Sequence, residues 1–266
     1  MSASYCIDTA GYAILSNHYH LLLHVDQALA ESLTDDEVLE RWCKIHHCPA
    51  LLKLWRDGVK LSAVQLNKCV KLLAQIRDNL SNISRFMGDL NEKIARWANK
   101  EDQCKGRFWE GRFECQAILD RDSLLQTLCY VDLNPVRAGI ASTPESSRYT
   151  SIYRRLRVEK TGMLPFVRKD NDKILQPQKA IPIYFEEYLA LLDWTGKELR
   201  YDKRGAIAAD LPPILTRIGR SSDNWLSYMR PKVSWFPRAV GSTEKVKGYA
   251  RAINQHWVWQ LPDEVP

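Results

Sequence analysis

From Ser62 to Lys100 apolar residues recur close to every 3.6 positions, running from Val64, Leu66 and Val70 through Leu73, Ile76 and Leu80 to Phe86, Leu90 and Trp97. The spacing predicts either one helix spanning a domain or two helices in sequence, with Gly88 as the natural place for a bend. A further helix is expected just before it, where Thr34-Asp35-Asp36-Glu37 has capping-box spacing and Val38, Leu39 and Trp42 follow at helical intervals.

The N-terminal part reads differently. Tyr12-Ala13-Ile14-Leu15 and His18 to Val25 are two short strand patterns on either side of Ser16-Asn17, and Asn tolerates the left-handed conformation of a tight turn. Strand side chains alternate, so His18 and His20 share a face, and Tyr19, Leu21 and Leu23 are expected to point the other way into a core. Two neutral imidazoles side by side on a strand form part of a ligand set for a divalent metal. The spacing alone fits several readings. Two histidines on a half-exposed strand are the plainest; a barrel hydrolase, a cupin-type metal site and a nuclease with an apolar residue between its histidines use the same pattern.

Composition narrows the class. With 45% hydrophobic and 26% charged residues in 266, the chain reads as an ordinary soluble globular protein. No apolar run reaches the roughly 20 residues of a membrane helix. Met1 to Tyr5 lacks a basic stretch followed by an apolar one, so no secretory signal and no membrane partner are expected. Seven irregularly spaced cysteines suit a reducing cytoplasm better than a disulfide framework. Cys43, His46, His47 and Cys48 invite a zinc reading, but no second ligand pair follows at finger spacing. The net charge of +6 is concentrated late: Lys197 to Arg251 holds twelve Lys or Arg against five Asp or Glu, leaving the rest of the chain near −1. That surplus favours a polyanionic partner, with a solvated face as the plainer meaning.

Lys105-Gly106-Arg107-Phe108-Trp109-Glu110-Gly111-Arg112-Phe113 interleaves cations, aromatic rings and glycines. Guanidinium groups pair with phosphates and aromatic faces stack on unpaired bases, whereas a twisted strand with core aromatics and solvated arginines is the plainer alternative. Glu114 to Leu119 continues as an expected strand. Asp122 to Leu133 is expected as a short helix stopped by Pro135. On it Leu124, Leu125 and Leu128 gather on one side, with Ser123, Gln126, Thr127, Tyr130 and Asn134 opposite. Asp132 breaks the apolar face without an evident local reason. Beyond Tyr149 the pattern points to a second unit. Ser151 to Arg157 is expected as a helix closing the first, and short helices are expected at 183–192, 212–220, 222–229 and 246–259. A small core of Trp194, Trp225, Trp235, Trp257 and Trp259 is expected there.

Tyr130 and Asn134, four apart on one helix face, supply what the histidines lack: a phenol able to act as nucleophile and an amide oxygen able to act as third metal ligand. A phosphodiester anion resists attack, so a metal that polarises its oxygens and a tyrosine that splits cleavage into two transesterifications belong together.

At this point the chain resembles a known family, the single-tyrosine HUH transposases, and within it the REP-associated tyrosine transposase branch. The resemblance rests on three blocks in the family's order: Ser16 to Leu23, Gly106 to Phe113, and Tyr130-Val131-Asp132-Leu133-Asn134-Pro135-Val136-Arg137-Ala138-Gly139. It covers about Tyr5 to Arg157, and the tail more loosely resembles extensions on some members. The resemblance implies an α+β, ferredoxin-like or RRM-like nuclease domain at 1–157; the change of pattern beyond it gives a linker at 158–180 and a basic helical domain at 181–266. It implies DNA transposition through strand cleavage and transfer: Mg²⁺ or Mn²⁺ held by His18, His20 and Asn134, and Tyr130 attacking single-stranded or hairpin DNA to leave a 5′-phosphotyrosine and a free 3′-OH. Asn17, Lys105, Arg107, Arg112 and Arg137 are the expected DNA contacts, in a monomer or a homodimer. Members carry an opening strand and helix before the segment matching Tyr5, and here that segment begins almost at Met1, so both elements are expected to be missing. Two other readings compete with the enzyme: a noncatalytic DNA-binding remnant of a transposase, and a small-molecule metallohydrolase.

Overall fold

The computed structural model describes residues 1, 3–158, 160–170, 173–175, 179–198 and 237–259. The chain is α+β, and its described strands form small sheets, two of two strands and one of three. No described helix is long and apolar enough to cross a membrane. The chain divides into two compact units. One is Met1–Thr9 with Leu23–Phe113; the other is Ala10–Leu22 with Glu114–Pro266. This division differs from the expected one at 1–157, 158–180 and 181–266. Ile181, Ile183, Tyr188 and Leu191 share one buried cluster with Ala10, Leu22, Leu125 and Leu128, and strands run through part of the expected linker.

The strands β1 (Ile7–Ile14) and β2 (Tyr19–Val25) pair as a hairpin. Its turn closes with the Leu15 N–H donating to the His18 carbonyl at 2.9 Å. Asn17 does not take the left-handed conformation: among described non-glycine residues only Gln103 and Asn254 have positive φ.

The first unit is helical beyond the hairpin ends: α1 (Gln27–Ser32), α2 (Asp35–Cys43), α3 (Ala50–Arg56), α4 (Ala63–Leu80) and α5 (Ile83–Glu101). The expected capping box forms, with the Glu37 amide donating to Thr34 Oγ1 at 3.3 Å and the Thr34 amide to Glu37 Oε2 at 2.8 Å. Ser62 and Gln65 repeat the device at the start of α4. The long stripe is two helices, and the break falls at Ser81–Asn82, where Asn82 caps α5; Gly88 lies inside α5. Burial on α4 follows Cys69, Leu73, Ile76 and Leu80, which pack with Val38, Leu39 and Leu52. Val64 (81% exposed), Val70 (66%) and Trp97 (73%) lie outside that face and are not core, contrary to the stripe as read from sequence. His46 of the zinc-like cluster is held by Asp89, 2.7 Å from its Nε2, and stacks on Trp42. Among the described residues no group of three His, Cys, Asp or Glu is disposed to hold a metal.

The second unit is built around α6 (Arg121–Asp132), one turn of α7 (Asn134–Arg137) and α8 (Ser151–Arg155). It continues with β4 (Phe166–Asp170), β5 (Lys173–Leu175), β6 (Ile181–Tyr184) and α9 (Phe185–Glu198). β4 pairs antiparallel with β5 and parallel with β6. The expected strand at 114–119 is reduced to β3 (Ala117–Ile118), parallel to β7 (Ala239–Val240), which leads into α10 (Thr243–Ala252). Asp120 ties these elements together, accepting from the Ser123 amide at 2.9 Å and from the Ser242 amide at 2.7 Å. Trp194 packs on the main cluster, but Trp257 is 72% exposed and Trp259 39%, so neither builds the expected tryptophan core. Trp225, Trp235 and the helices expected at 212–220 and 222–229 lie outside the described residues.

Helix α6 is not two-faced. Leu125 and Leu128 are buried as expected, but so are Ser123, Gln126, Cys129, Val131 and Asp132, as befits a helix enclosed on several sides. Asp132 now has a reason. Its Oδ1 accepts from Ser151 Oγ at 2.6 Å and from the Ile152 amide at 3.0 Å, and its Oδ2 accepts from Tyr188 Oη at 2.6 Å, joining α6 to α8 and α9. Burial nonetheless pushes its carboxyl up from the ordinary value, against those donors and the Arg155 charge.

Candidate functional site

The site lies in the second unit, where the hairpin tip meets the end of α6. The side of β2 that carries His20, with His18 just before the strand, continues to Leu22, which is buried beside Ala10, Leu125 and Leu128, whereas Tyr19, Leu21 and Leu23 are only half-buried. The histidine side is therefore the one that receives the helix, the reverse of the expected polarity. Gly11 allows this approach: a β-carbon there would lie 2.6 Å from Leu128 Cδ1 and 3.2 Å from Ser151 Oγ.

Tyr130 closes the last full turn of α6, and Asn134 opens α7 after a break at Leu133. Pro135 has no N–H to donate back to Val131, so the helix is interrupted there rather than ended, and one more turn follows. The break leaves both side chains beside His20. Asn134 Nδ2 is 3.1 Å from His20 Nε2, and the Tyr130 ring meets the His20 ring edge-on with centroids 5.6 Å apart. The two imidazoles are also edge-on, at 5.0 Å. The Arg137 guanidinium carbon sits 4.4 Å from the Tyr130 ring centroid, a cation–π contact that places its charge at the same point.

Two details set the chemistry of the imidazoles. Asn17 Oδ1 lies 2.7 Å from His18 Nδ1; a carbonyl oxygen only accepts, so Nδ1 is the donor and the ring is oriented with Nε2 turned away from Asn17. Asn17, expected as a DNA contact, thus orients a histidine. Burial, followed by the charges of His18 and Arg137, pushes His20 down to about 4, so it is neutral near pH 7. A divalent cation needs neutral imidazoles and an oxygen donor. Two imidazoles and a carboxamide beside the second could supply two nitrogen donors and one oxygen donor to a divalent cation. Tyr130 Oη has no hydrogen-bond partner among the described residues.

His18, His20, Asn17, Tyr130, Asn134 and Arg137 are therefore brought together. Lys105, Arg107 and Arg112 belong to the first unit. There the segment 105–113 is not a strand but an exposed loop, with Gly106 at φ +130° and Phe108 42% exposed. Arg107 Nε donates to the Trp109 carbonyl at 2.8 Å, and Trp109 Nε1 to the Asn91 carbonyl at 3.0 Å. Lys105 and Arg112 are exposed cations of that loop. Sequence reasoning missed the buried Gln126, one turn before Tyr130, whose amide atoms have no partner among the described residues. Gln126 falls on the side of α6 opposite the leucines, and a polar residue there carries no pattern that marks burial.

Compared with models of known families, with curated proteins and with solved structures, the chain matches none.

Proposed function

We propose that the chain is a transposase-like DNA strand transferase of the single-tyrosine HUH type, REP-associated branch, acting on single-stranded or hairpin DNA through Tyr130. The observation that supports this reading is the double contact of His20, with Asn134 at 3.1 Å and with the Tyr130 ring at 5.6 Å. A nucleophile, a third ligand and two imidazoles converge there from residues more than a hundred positions apart. In this reading the β1–β2 hairpin and α6 belong to a ferredoxin-like or RRM-like arrangement, of which the described strands make only a small sheet.

His18, His20 and Asn134 would hold Mg²⁺ or Mn²⁺. When bound, such a cation polarises the non-bridging phosphoryl oxygens and offsets their charge. Tyr130 Oη attacks phosphorus, forming the P–O bond of a 5′-phosphotyrosine while the bond from phosphorus to O3′ breaks. The phenol proton passes to solvent water, and the departing 3′ oxygen takes up a proton from solvent to become a free 3′-OH. Asn17 orients the His18 ring with Nε2 turned away from it. Arg137 caps the phenol ring and draws the phosphate towards it. Lys105, Arg107 and Arg112, with the basic C-terminal segment, hold the phosphate backbone.

The test is a nicking assay on labelled single-stranded hairpin DNA with Mn²⁺, comparing the wild type with Tyr130→Phe. A covalent protein–DNA product from the wild type alone supports the enzyme. Binding without cleavage by both proteins supports a DNA-binding remnant, and turnover of small esters that survives Tyr130→Phe supports a metallohydrolase.

A further inference from the structure

Residues 144–160 hold five Lys or Arg against two Glu, and none of this segment serves the site described above. It runs from a short 3₁₀ turn, Pro144–Ser146, into α8, and its backbone is joined to the hairpin. The Ile14 amide donates to the Tyr149 carbonyl at 2.9 Å, and Ala13 bridges Thr150. Ile14 is the last residue of β1, so this seam lies at the hairpin end whose turn carries Asn17 and His18.

The exposed side chains of the seam include Ile14, Glu145, Leu156 and Val158 as well as a group of cations and a tyrosine. Tyr149 is 68% exposed, a large fraction for a tyrosine held in place by its own backbone. Arg157 stacks on Tyr153 with its guanidinium carbon 3.6 Å from the ring centroid, and donates to the Tyr153 and Glu145 carbonyls at 3.3 and 3.1 Å. Arg148 and Arg154 are exposed, and among the described residues neither they nor Arg157 pair with a carboxylate. Scattered surface arginines are ordinarily solvated. Here three guanidinium groups with no carboxylate partner among the described residues lie within ten positions of one open tyrosine face and one already in a cation–π stack. Unpaired nucleic acid offers a phosphate and a base face at every step, which is the pattern this surface complements.

We propose that Arg148, Tyr149, Tyr153, Arg154 and Arg157 form a second contact surface for an unpaired DNA strand, beyond the hairpin turn from His18. The proposal rests on the function proposed above for its choice of ligand. It does not depend on cleavage.

The experiment uses the full chain carrying Tyr130→Phe, without divalent metal, and follows the anisotropy of a labelled single-stranded oligothymidylate across a salt series. Tyr149→Ala should weaken binding about tenfold, the size of one lost base stack, while Tyr149→Phe restores it. Combining Arg148→Ala with Arg154→Ala should make the plot of log affinity against log salt shallower by about 1.4, two single-strand phosphate contacts. Unchanged affinity and slope in both variants would overturn the proposal. So would equal losses for heparin, which has charge but no bases. A wild type that forms no covalent adduct, while these variants still lose binding, removes the role given to Tyr130 and leaves this surface standing. Adduct formation with normal binding by both variants does the reverse.

Discussion

Asn134 Nδ2 lies 3.1 Å from Nε2 of His20 across the gap between α7 and β2. The contact places the amide where it can exchange its hydrogen bond for a metal bond by turning its oxygen inward. Asn134→Leu should lower Mn²⁺ affinity by at least the roughly 10- to 100-fold that supporting groups contribute at metal sites. Asn134→Asp should raise it. Electron paramagnetic resonance of added Mn²⁺ measures both, and equal affinity in all three proteins would remove Asn134 from the ligand set.

The depressed value of His20, about 4 against an ordinary 6.5, has a sign that titration checks. The unfolded chain takes up this proton first as pH falls, so His20 contributes stability that is complete above pH 6.5 and is lost as pH falls towards about 4. Unfolding midpoints measured across that range should fall more steeply for the wild type than for His20→Asn. In proton spectra of the folded protein, Arg137→Ala should move the His20 midpoint upward, because it removes one of the charges holding it down.

Tyr188 and Ser151 meet at the Asp132 carboxyl, which is fully buried. Tyr188→Phe removes one donor and leaves the carboxyl in place, so it should cost about 1–3 kcal/mol in denaturant unfolding. A loss within experimental error would mean that the Tyr188 bond is not part of what holds α9 to α6.

Gly11→Ala introduces a β-carbon 2.6 Å from Leu128 Cδ1. Leu128 is fully buried, and relieving the overlap should destabilise the protein by about 1–3 kcal/mol. Gly88→Ala is the control, since nothing lies within 4 Å of the added carbon and α5 is a helix. It should be neutral or slightly stabilising, by up to about 1 kcal/mol.

The candidate site was legible because its members are set by short-range rules. A residue alternation put His18 and His20 together, and a spacing of four put Tyr130 near Asn134. What stayed hidden depended on distant partners. Strand alternation separates two faces but does not say which one a helix will cover, so Leu22 went unrecognised while Tyr19, Leu21 and Leu23 were assigned to the core. Asp132 looked misplaced on α6 because its donors, Ser151 and Tyr188, are 19 and 56 residues away. The stripe through Val64 and Val70 was periodic enough to predict helix, but periodicity is satisfied by an exposed face as well as a buried one.

Tyr130 as the attacking group is tested most directly by mapping the covalent product. After reaction with Mn²⁺ and hairpin DNA labelled at its 3′ end, nuclease and protease digestion followed by mass spectrometry should find a 5′-linked nucleotide on the peptide containing Tyr130, and none after His18→Ala, His20→Ala or Tyr130→Phe. An adduct on any other residue, or none from a wild type shown to bind the same DNA and metal, would contradict the account.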